Sequence, residues 1–481
     1  MAANEKPSLL VSGDAIENFD APRANSTRLV RRCCPVAEMW VPTLLDRPAR
    51  AGDAMRAGSW YQCGFLPDGR AGSDAGDARL VPCPAPAASA RDVFDGGWGF
   101  AVARVDADDA TGGRLYAWGE CARDHVLEEP PTTSSRARLP ARLDDAAADA
   151  REDPGPVAAG WAHVVFLVDG AGGTTARILG WDPHARAPSP EIPTPTPRDI
   201  HLPRRVRALA AGERHTLAVC EDGSAWAWGD DACGQLGTTR RDEPESERPS
   251  SEPAADPPAA ITTTTTTTIS SSSASPSRVA LPPGVSAVLA CAGARHSVLI
   301  DARGAAYAFG WGLHGQLGLG DCEDARAPTR VASLDGIFIA RAAAGAAHTV
   351  LLTRHGAAYA FGSNHHGQLG VPEETCPLGG ASAEPVMIEI RAPDEEARGH
   401  RRASPPDVFD VVSCGSRHTA AVSRDGTVRA WGWNARGQLG TGDRIHRGTP
   451  TRVDIPGGGR AARVACGWWH TLVEVVDEEE G

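Results

Sequence analysis

Short apolar runs bounded by glycine-containing turns recur along the chain. Residues 216–220 and 349–352 are typical of them, because a Thr followed by three or four successive apolar residues before a turn signal fits a β-strand. A dipeptide such as Asp222-Gly223 or Asp425-Gly426 follows each run, and glycine supplies the positive φ that a hairpin turn requires. The pattern predicts a series of antiparallel hairpins.

The second strand of each predicted hairpin carries aromatic residues at alternate positions. The clearest pairs are Trp226 with Trp228, Tyr307 with Phe309, and Tyr359 with Phe361. Alternate side chains of a strand point to the same face of its sheet. Each hairpin is therefore expected to present two aromatic side chains together on one face.

A Gly-x-x-His motif precedes the first strand of each hairpin. Its six histidines are His163, His215, His296, His348, His418 and His470, at successive separations of 52, 81, 52, 70 and 52 residues. Each complete unit also contains Gly-Gln-Leu-Gly, at 234–237, 315–318, 367–370 and 437–440, and then a Pro-containing extended piece such as residues 328–331. Four short strands in about 50 residues are typical of one propeller blade.

Incomplete copies of the unit lie at the two ends of the repeated region. Residues 97–119 resemble a unit without its His, and residues 160–181 resemble one without Gln-Leu-Gly. Residues 60–65 match only the second half of a unit, whereas the copy from Cys466 to near Val476 has only the first half. Complementary halves predict that terminal strands from both ends complete one blade, which removes open sheet edges.

These observations predict an all-β fold, a seven-bladed β-propeller of four-stranded blades closed by combining the N- and C-terminal half-repeats. We expect a single propeller domain over residues 55–476, preceded by a partly disordered extension, residues 1–54, and followed by an acidic tail, residues 477–481. A low-complexity insertion is predicted at about residues 239–278, where runs of Thr and Ser favour a disordered loop with candidate phosphorylation sites. A second insertion, at about 371–406, contains the basic cluster at residues 398–402.

The combined pattern of Gly-x-Arg-His-Thr, Asp-Gly, Ala-Trp-x-Trp-Gly and Gly-Gln-Leu-Gly resembles the repeats of the regulator of chromosome condensation family. The resemblance covers about residues 55–476 and is strongest from 210 to 471. It implies a propeller used as a binding platform. Members of this family include the nuclear exchange factor for the GTPase Ran, a plant ultraviolet-B photoreceptor, and regulators of trafficking, chromatin or ubiquitin ligation.

Charge and composition narrow the expected partners and compartment. The 48 Lys and Arg against 61 Asp and Glu give a net charge of −13, so we expect no direct binding of nucleic acid. No apolar run approaches the roughly 20 residues of a membrane span, and the N-terminus lacks the pattern of a secretory signal. The 12 cysteines include no Cys-x-x-Cys pair, which favours an intracellular protein of the cytoplasm or nucleus, and we expect a monomer.

No residue pattern indicates catalysis, so we predict no catalytic, cofactor-binding or metal-binding residues and regard enzymatic activity as doubtful. The six repeated histidines would lie one per blade, whereas metal ligands must converge on one point. Residues 310–315 match Gly-x-Gly-x-x-Gly, but no β-α-β pattern follows. Cys291, Cys414 and Cys466 occupy equivalent sites and are interpreted as buried strand residues, while His314, His365 and His366 are interpreted as polar loop residues.

The variable positions within Gly-x-x-His are the candidate partner-binding residues. The family resemblance implies that they lie on one rim of the ring: Trp161, Glu213, Arg214, Arg295, Arg417, Trp468 and Trp469. Arg and Trp are enriched in interaction hot spots. In the alternative interpretation, the Trp residues pack between blades and the Arg residues pair with acids of neighbouring blades.

Three functions compete. A non-catalytic protein-interaction scaffold or regulator requires only the platform, and it is the function we predict. A guanine-nucleotide exchange factor for a Ran-like small GTPase is the alternative that the resemblance offers. An ultraviolet-B receptor is less favoured, because the resemblance then requires a tryptophan cluster at Gly-Trp-Arg-His-Thr, where this chain has Glu213, Ala294, Ala346 and Ser416.

Overall fold

The computed structural model describes most of the predicted propeller. The described residues are 59–64, 79–83, 92–95, 100–106, 113–119, 141–142, 156–161, 163–168, 172–180, 198–238, 272–390 and 408–476. All of them belong to one compact unit, residues 37–481. The predictions for residues 1–54, for the Thr and Ser runs before residue 272, for the basic cluster at 398–402 and for the tail at 477–481 lie outside these ranges.

The described elements are almost entirely β-strands. Strands β1 to β10 are Ser59–Gly64, Val81–Pro82, Asp92–Asp95, Phe100–Asp106, Gly113–Gly119, Ala141–Arg142, Val157–Ala159, His163–Leu167, Thr175–Gly180 and Arg198–His201. Strands β11 to β19 are Val206–Ala211, His215–Cys220, Ala225–Asp230, Ser272–Arg278, Ala287–Ala292, His296–Asp301, Ala306–Gly310, Ala325–Arg330 and Ile339–Ala344. Strands β20 to β28 are His348–Thr353, Ala358–Ser363, Ala381–Met387, Phe409–Cys414, His418–Ser423, Val428–Gly432, Arg447–Val453, Arg460–Cys466 and His470–Val476. Two short 3-10 helices, Ala332–Leu334 and Pro456–Gly458, join blades.

The 28 strands form seven four-stranded sheets, which confirms the predicted fold class. Blades 1 to 6 follow the chain as β3–β6, β7–β10, β11–β14, β15–β18, β19–β22 and β23–β26. Blade 7 has the order β27, β28, β1 and β2 from the inside outwards. The innermost strand of every blade lies against the innermost strands of both neighbours, and β27 contacts both β23 and β3, so the ring is closed.

Blade 7 closes the ring in the predicted way. Strand β1 pairs antiparallel with β28 over its whole length, from Ser59 opposite Val475 to Gly64 opposite His470. Trp60 and Cys63 are each 1% exposed, so the N-terminal strand contributes buried side chains as well as hydrogen bonds. The closing blade leaves β28 without an open edge.

The core lies between the blades. In blades 3 to 6 the aromatic residue directly before the glycine of the third strand packs into the apolar cluster of the preceding blade. These residues are Trp228, Phe309, Phe361 and Trp431. A Cβ on Gly370, the last residue of one Gly-Gln-Leu-Gly, would lie 2.5 Å from the Trp431 indole. The two halves of the repeat therefore meet across the blade boundary, with glycine making room for the aromatic ring.

Two predicted insertion boundaries require correction. Residues 272–278, assigned to the low-complexity insertion at 239–278, form the outer strand β14. Residues 371–390, assigned to the insertion at 371–406, include the outer strand β22. Pro276 and Pro385 are compatible with these strands, because an outermost strand has a free edge where a missing N–H is tolerated. No helix in the described ranges is long and apolar enough to cross a membrane.

Candidate protein-binding rim

The repeated histidine forms a hydrogen-bonded bridge between neighbouring blades. His348 Nε2 of blade 5 lies 3.0 Å from Thr419 Oγ1 of blade 6. The same hydroxyl donates to the Gln368 backbone carbonyl of blade 5 at 2.9 Å. Because the hydroxyl has a single proton, Nε2 must be the donor to it, which fixes the histidine tautomer. One threonine thus holds both the histidine and the Gly-Gln-Leu-Gly turn of the preceding blade.

The same bridge recurs at five blade boundaries. The pairs are His163 with Thr216, His215 with Ser297, His296 with Thr349, His348 with Thr419 and His418 with Thr471. Blade 1 has Phe100 and Ala101 at the histidine and hydroxyl positions, both fully buried. The bridges support the interpretation of these histidines as structural.

Burial keeps the bridging histidines neutral. It lowers the pKa of His215, His296, His348 and His418 to about 3. The glycine of each motif lies under the imidazole. A Cβ on Gly345 would be 2.2 Å from His348 Cε1 and 2.5 Å from the Gly415 carbonyl of the next blade, so only glycine fits there.

Replacing Thr349 by Val should destabilise the protein, whereas replacing it by Ser should not. Valine removes the Thr349 hydroxyl, which accepts a hydrogen bond from His296 and donates one to the Gln316 backbone carbonyl. Both of these buried groups would then lack their partner. Leaving buried polar groups unsatisfied costs about 1–3 kcal/mol each, so we expect a loss of roughly 2–5 kcal/mol in the free energy of unfolding. Serine occupies the equivalent position of blade 4, at Ser297, so Thr349→Ser is the matched control. Equal midpoints of Val and Ser variants in urea unfolding would contradict the bridge.

The bridges lie below one rim of the ring. In each up-and-down blade, the Gly-x-x-His turn between the first and second strands and the loop between the third and fourth strands lie at the same end. We call this end the loop rim. The hairpin turns between the second and third strands, with φ near 80° at Gly223 and Gly304, lie at the opposite end, which we call the hairpin rim.

The structure divides the predicted rim residues into two groups. Arg214, Arg295, Arg417 and Trp469, at the second variable position, are partly exposed. Glu213, Trp161 and Trp468, at the first variable position, are buried, with exposed fractions of 1%, 9% and 4%. The first group is available to a partner, and the second supports it from below. Their role in partner binding remains a prediction.

Glu213 lies beneath two of the arginines. Its carboxylate oxygens are 3.8 Å from Arg214 Nε and 3.9 Å from Arg295 Nε, and Arg295 belongs to the next blade. This pair supports the alternative interpretation for Arg295 in part. The carboxylate is buried while both guanidinium groups reach the surface, so the positive charge dominates what a partner meets here.

A larger cluster of side chains spans the loop rims of blades 5, 6 and 7. We call it the aromatic patch and define it as His366, Arg417, Trp433, His446 and Trp469. The ring centroids of Trp433 and Trp469 are 4.6 Å apart, and those of His366 and His446 are 5.4 Å apart. Arg417 Nη1 lies 3.5 Å from His366 Nε2. The buried Trp468 packs edge-on against Trp469, with centroids 5.3 Å apart.

The two imidazoles of the patch are uncharged at neutral pH. Burial, with the neighbouring Arg417, His446 and His365, lowers the pKa of His366 to about 4. Burial also lowers the pKa of His446. A neutral His366 can accept a hydrogen bond from Arg417, and this leaves the guanidinium as the fixed charge of the patch.

Sequence reasoning found Arg417 and Trp469 but missed the other members of the patch. Trp433 follows the glycine that ends the third strand, a variable position that carries no signal within one blade. His366 was interpreted as a polar loop residue, yet it is half-buried against rings from the next blade. The same repeat position holds Trp311, which forms a smaller cluster with His314 and Arg295. Only the arrangement of neighbouring blades brings these residues together.

The remaining sequence motifs have structural explanations. Cys291, Cys414 and Cys466 are fully buried, and burial raises the pKa of the first two thiols. Gly310 ends β17, and Gly312 and Gly315 lie in the loop to β18, so Gly-x-Gly-x-x-Gly does not precede a helix. Among the described residues, no three His, Cys, Asp or Glu side chains are placed to hold a metal ion.

The fold and the repeats define a seven-bladed propeller with histidine-bridged blades. The sequence model of the RCC1-like domain matches residues 109–473, and the chain belongs to this family. The predicted family is thereby confirmed.

Named relatives include proteins of different functions. The ultraviolet-B receptor UVR8 of Arabidopsis thaliana is 29% identical over 296 residues, 61% of this chain and 57% of the relative. Human RCC1 domain-containing protein 1 is 33% identical over 208 residues, 39% of this chain and 55% of the relative. The chain thus aligns with little more than half the length of either protein.

Solved structures share the fold at lower identity. Human WBSCR16 has a TM-score of 0.67 at 20% identity, covering 87% of this chain and all of that one. Prp20p of Saccharomyces cerevisiae, described with its binding to Gsp1p and histones, has a TM-score of 0.67 at 18% identity, covering 89% of this chain and 93% of that one. At these identities, the likeness concerns the fold alone.

Proposed function

We propose that the protein is a non-catalytic protein-interaction scaffold or regulator that binds its partner through the loop rim. The observation that carries this proposal is the set of partly exposed Arg214, Arg295, Arg417 and Trp469 at the same position of four Gly-x-x-His turns. Arg and Trp dominate the energetics of protein interfaces because they combine large contact area with directed hydrogen bonds. The histidine bridges below hold these turns in fixed positions, which reduces the entropy lost on binding.

The charge of the rim indicates an acidic partner surface. The chain as a whole is acidic, with a net charge of −13. The three arginine turns nevertheless expose guanidinium groups, while their only acid, Glu213, is 1% exposed. Complementary potentials speed association and exclude partners of the wrong charge. The exposed guanidinium groups of these three turns would therefore select acidic groups on the partner.

Charge reversal on the loop rim should weaken partner capture. We expect Arg214→Glu with Arg417→Glu to reduce recovery of bound proteins at least tenfold from a cell extract, without lowering the melting temperature. Arg278→Glu with Arg452→Glu, two exposed arginines of outer strands, makes the same change of charge elsewhere and is the matched control. Partners that persist unchanged on the rim variant would show that the binding face lies elsewhere.

Guanine-nucleotide exchange on a Ran-like small GTPase is the second candidate. It has in its favour the fold shared with Prp20p, which binds Gsp1p. The test is release of labelled GDP from any GTPase among the captured proteins. Faster release with the wild-type chain, lost in the rim variant, would establish exchange activity. The absence of a GTPase, or an unchanged release rate, would remove this candidate and leave the scaffold function.

We also propose that the protein acts as a monomer inside the cell, in the cytoplasm or nucleus. The nine described cysteines are all free thiols, and seven of them are buried. Free thiols in this number are typical of reducing compartments. An ultraviolet-B receptor function is less favoured, because Ala294, Ala346 and Ser416 stand where the resemblance would place tryptophans.

A further inference from the structure

We infer that the aromatic patch is a docking site for an acidic, extended peptide segment of a partner protein, anchored by one aromatic or long aliphatic side chain. This inference rests on the proposed function and names the kind of partner segment. The anchor would pack on Trp433 and Trp469, and a neighbouring carboxylate of the segment would pair with Arg417.

The patch combines an apolar platform with one fixed charge. Trp433 and Trp469 are both partly exposed, although their rings already contact each other. Ile445, which directly precedes His446 of the patch in the sequence, is 64% exposed, and Leu378, which approaches Gly448, is 49% exposed. Exposed apolar side chains grouped in this way mark an interaction site rather than the scattered apolar residues of an ordinary surface.

The charges around the patch specify an acidic occupant. The loop at residues 433–447 contains Arg436, Arg444 and Arg447 but only one acid, Asp443. Asp443 forms an ion pair with Arg447 and accepts a hydrogen bond from the Ile445 backbone N–H, so its charge is compensated locally. The loop of blade 5 adds Glu373 and Glu374, both exposed. Together with Arg417, the turn and loop of blade 6 retain a net positive charge.

The arrangement of Arg417 suits a bidentate carboxylate. His366 is neutral, so it accepts from one guanidinium nitrogen and orients the group without cancelling its charge. The remaining N–H donors form a planar fork that matches a carboxylate. A segment with an acidic side chain next to an apolar anchor would contact Arg417 and the two tryptophans at once.

Two other occupants fit less well. Single-stranded nucleic acid also stacks on aromatic rings, but it requires a basic channel along its backbone, whereas this chain carries a charge of −13. A second copy of the chain related by a twofold axis would place like charges of the two patches near each other. Both occupants are outcomes of the test below.

The direct test is selection of a displayed random library of twelve-residue peptides on the full-length protein. Enriched peptides should be acidic and carry an aromatic or long aliphatic residue. Synthetic versions should bind at least tenfold more weakly when their Asp and Glu are replaced by Asn and Gln. Enrichment of neutral or basic peptides, or no loss on this replacement, would overturn the inference without requiring any protein variant.

Protein variants locate the site. Trp469→Ala, Trp433→Ala and Arg417→Glu should each weaken the selected peptides at least tenfold, with unchanged melting temperatures. Trp311→Ala removes the tryptophan at the same repeat position two blades away and should leave binding within about twofold. Equal effects of Trp311→Ala and Trp433→Ala, or no effect of either, would show that the peptides bind elsewhere.

Three further measurements distinguish the other occupants from a peptide, and failure of this inference from failure of the proposed function. Tight binding of a fluorescent single-stranded oligonucleotide that Trp469→Ala abolishes would assign the patch to nucleic acid, and dimers in sedimentation lost in that variant would assign it to self-association. Either result overturns the peptide inference. If proteins are captured through Arg214 but no acidic peptide binds the patch, this inference fails and the scaffold proposal stands. Failure of the wild-type protein to capture any partner would instead refute the scaffold.

Discussion

Lowering the pH from about 7.5 to about 5 should remove most of the protein's stability. Four buried histidines, His215, His296, His348 and His418, have pKa values lowered to about 3 in the folded state. In the unfolded chain they titrate near 6.5, so the unfolded state takes up protons first as the pH falls. The stability that depends on their being neutral is fully present above about pH 6.5, and it is lost as the pH falls from there to about 3.

The expected loss in the free energy of unfolding is large. One pKa unit corresponds to about 1.36 kcal/mol, so at pH 5 each histidine costs about 2 kcal/mol and the four together about 8 kcal/mol. That is comparable with the roughly 5–15 kcal/mol by which a folded domain is stable. The measurement is urea unfolding at a series of pH values. His348→Gln, which keeps an amide donor near Thr419 but does not titrate, should reduce the pH slope by about one quarter. A free energy of unfolding that is constant down to pH 5 would refute the linkage.

Removing residues 1–84 should open the ring and abolish cooperative folding. The deletion takes away β1 and β2, exposes the edge of β28 and removes the buried Trp60, Cys63 and Leu80. Loss of a buried Trp or Leu side chain alone costs about 2–5 kcal/mol, and an unpaired strand edge favours aggregation. We expect a broad thermal transition and soluble aggregates in size-exclusion chromatography. Deleting residues 1–54, which keeps both strands, should retain a sharp transition.

A permuted chain provides the matched control for the same residues. Ser59 lies opposite Val475 in the ladder, so residues 55–84 can follow residue 476 through a short hairpin connection. This chain should fold cooperatively and elute as a monomer, because the closing blade is restored. If the 1–84 deletion melted as sharply as the permuted chain, closure by the N-terminal strands would not be needed for folding.

The fold could be predicted because each blade repeats the same local chemistry. Glycine at the turns, alternate aromatic residues and the complementary half units at the two ends all indicate one closed ring, and Trp60 and His470 fall in the expected strands. The outer strands were harder to place. Strands β14 and β22 lie within the segments assigned to insertions and contain few apolar residues, so the sequence does not mark where each strand begins.

The binding rim was only partly predictable, because it depends on contacts between blades. Arg214 and Arg417 stand at a recurring variable position, so the repeat identified them. The burial of Glu213 between two arginines, and the meeting of His366 with Trp433, join residues from neighbouring units. A repeat read one unit at a time carries no information on such pairs.

Hydrogen exchange on the purified protein with a captured partner distinguishes binding at the loop rim from binding at the hairpin rim. Binding through the loop rim predicts slower exchange in residues 311–315, 365–369 and 433–446, which include the third-to-fourth strand loops. The hairpin turns at 221–224, 302–305 and 424–427 should exchange at unchanged rates. Protection of the hairpin turns with no change in the loop rim would contradict binding through the loop rim.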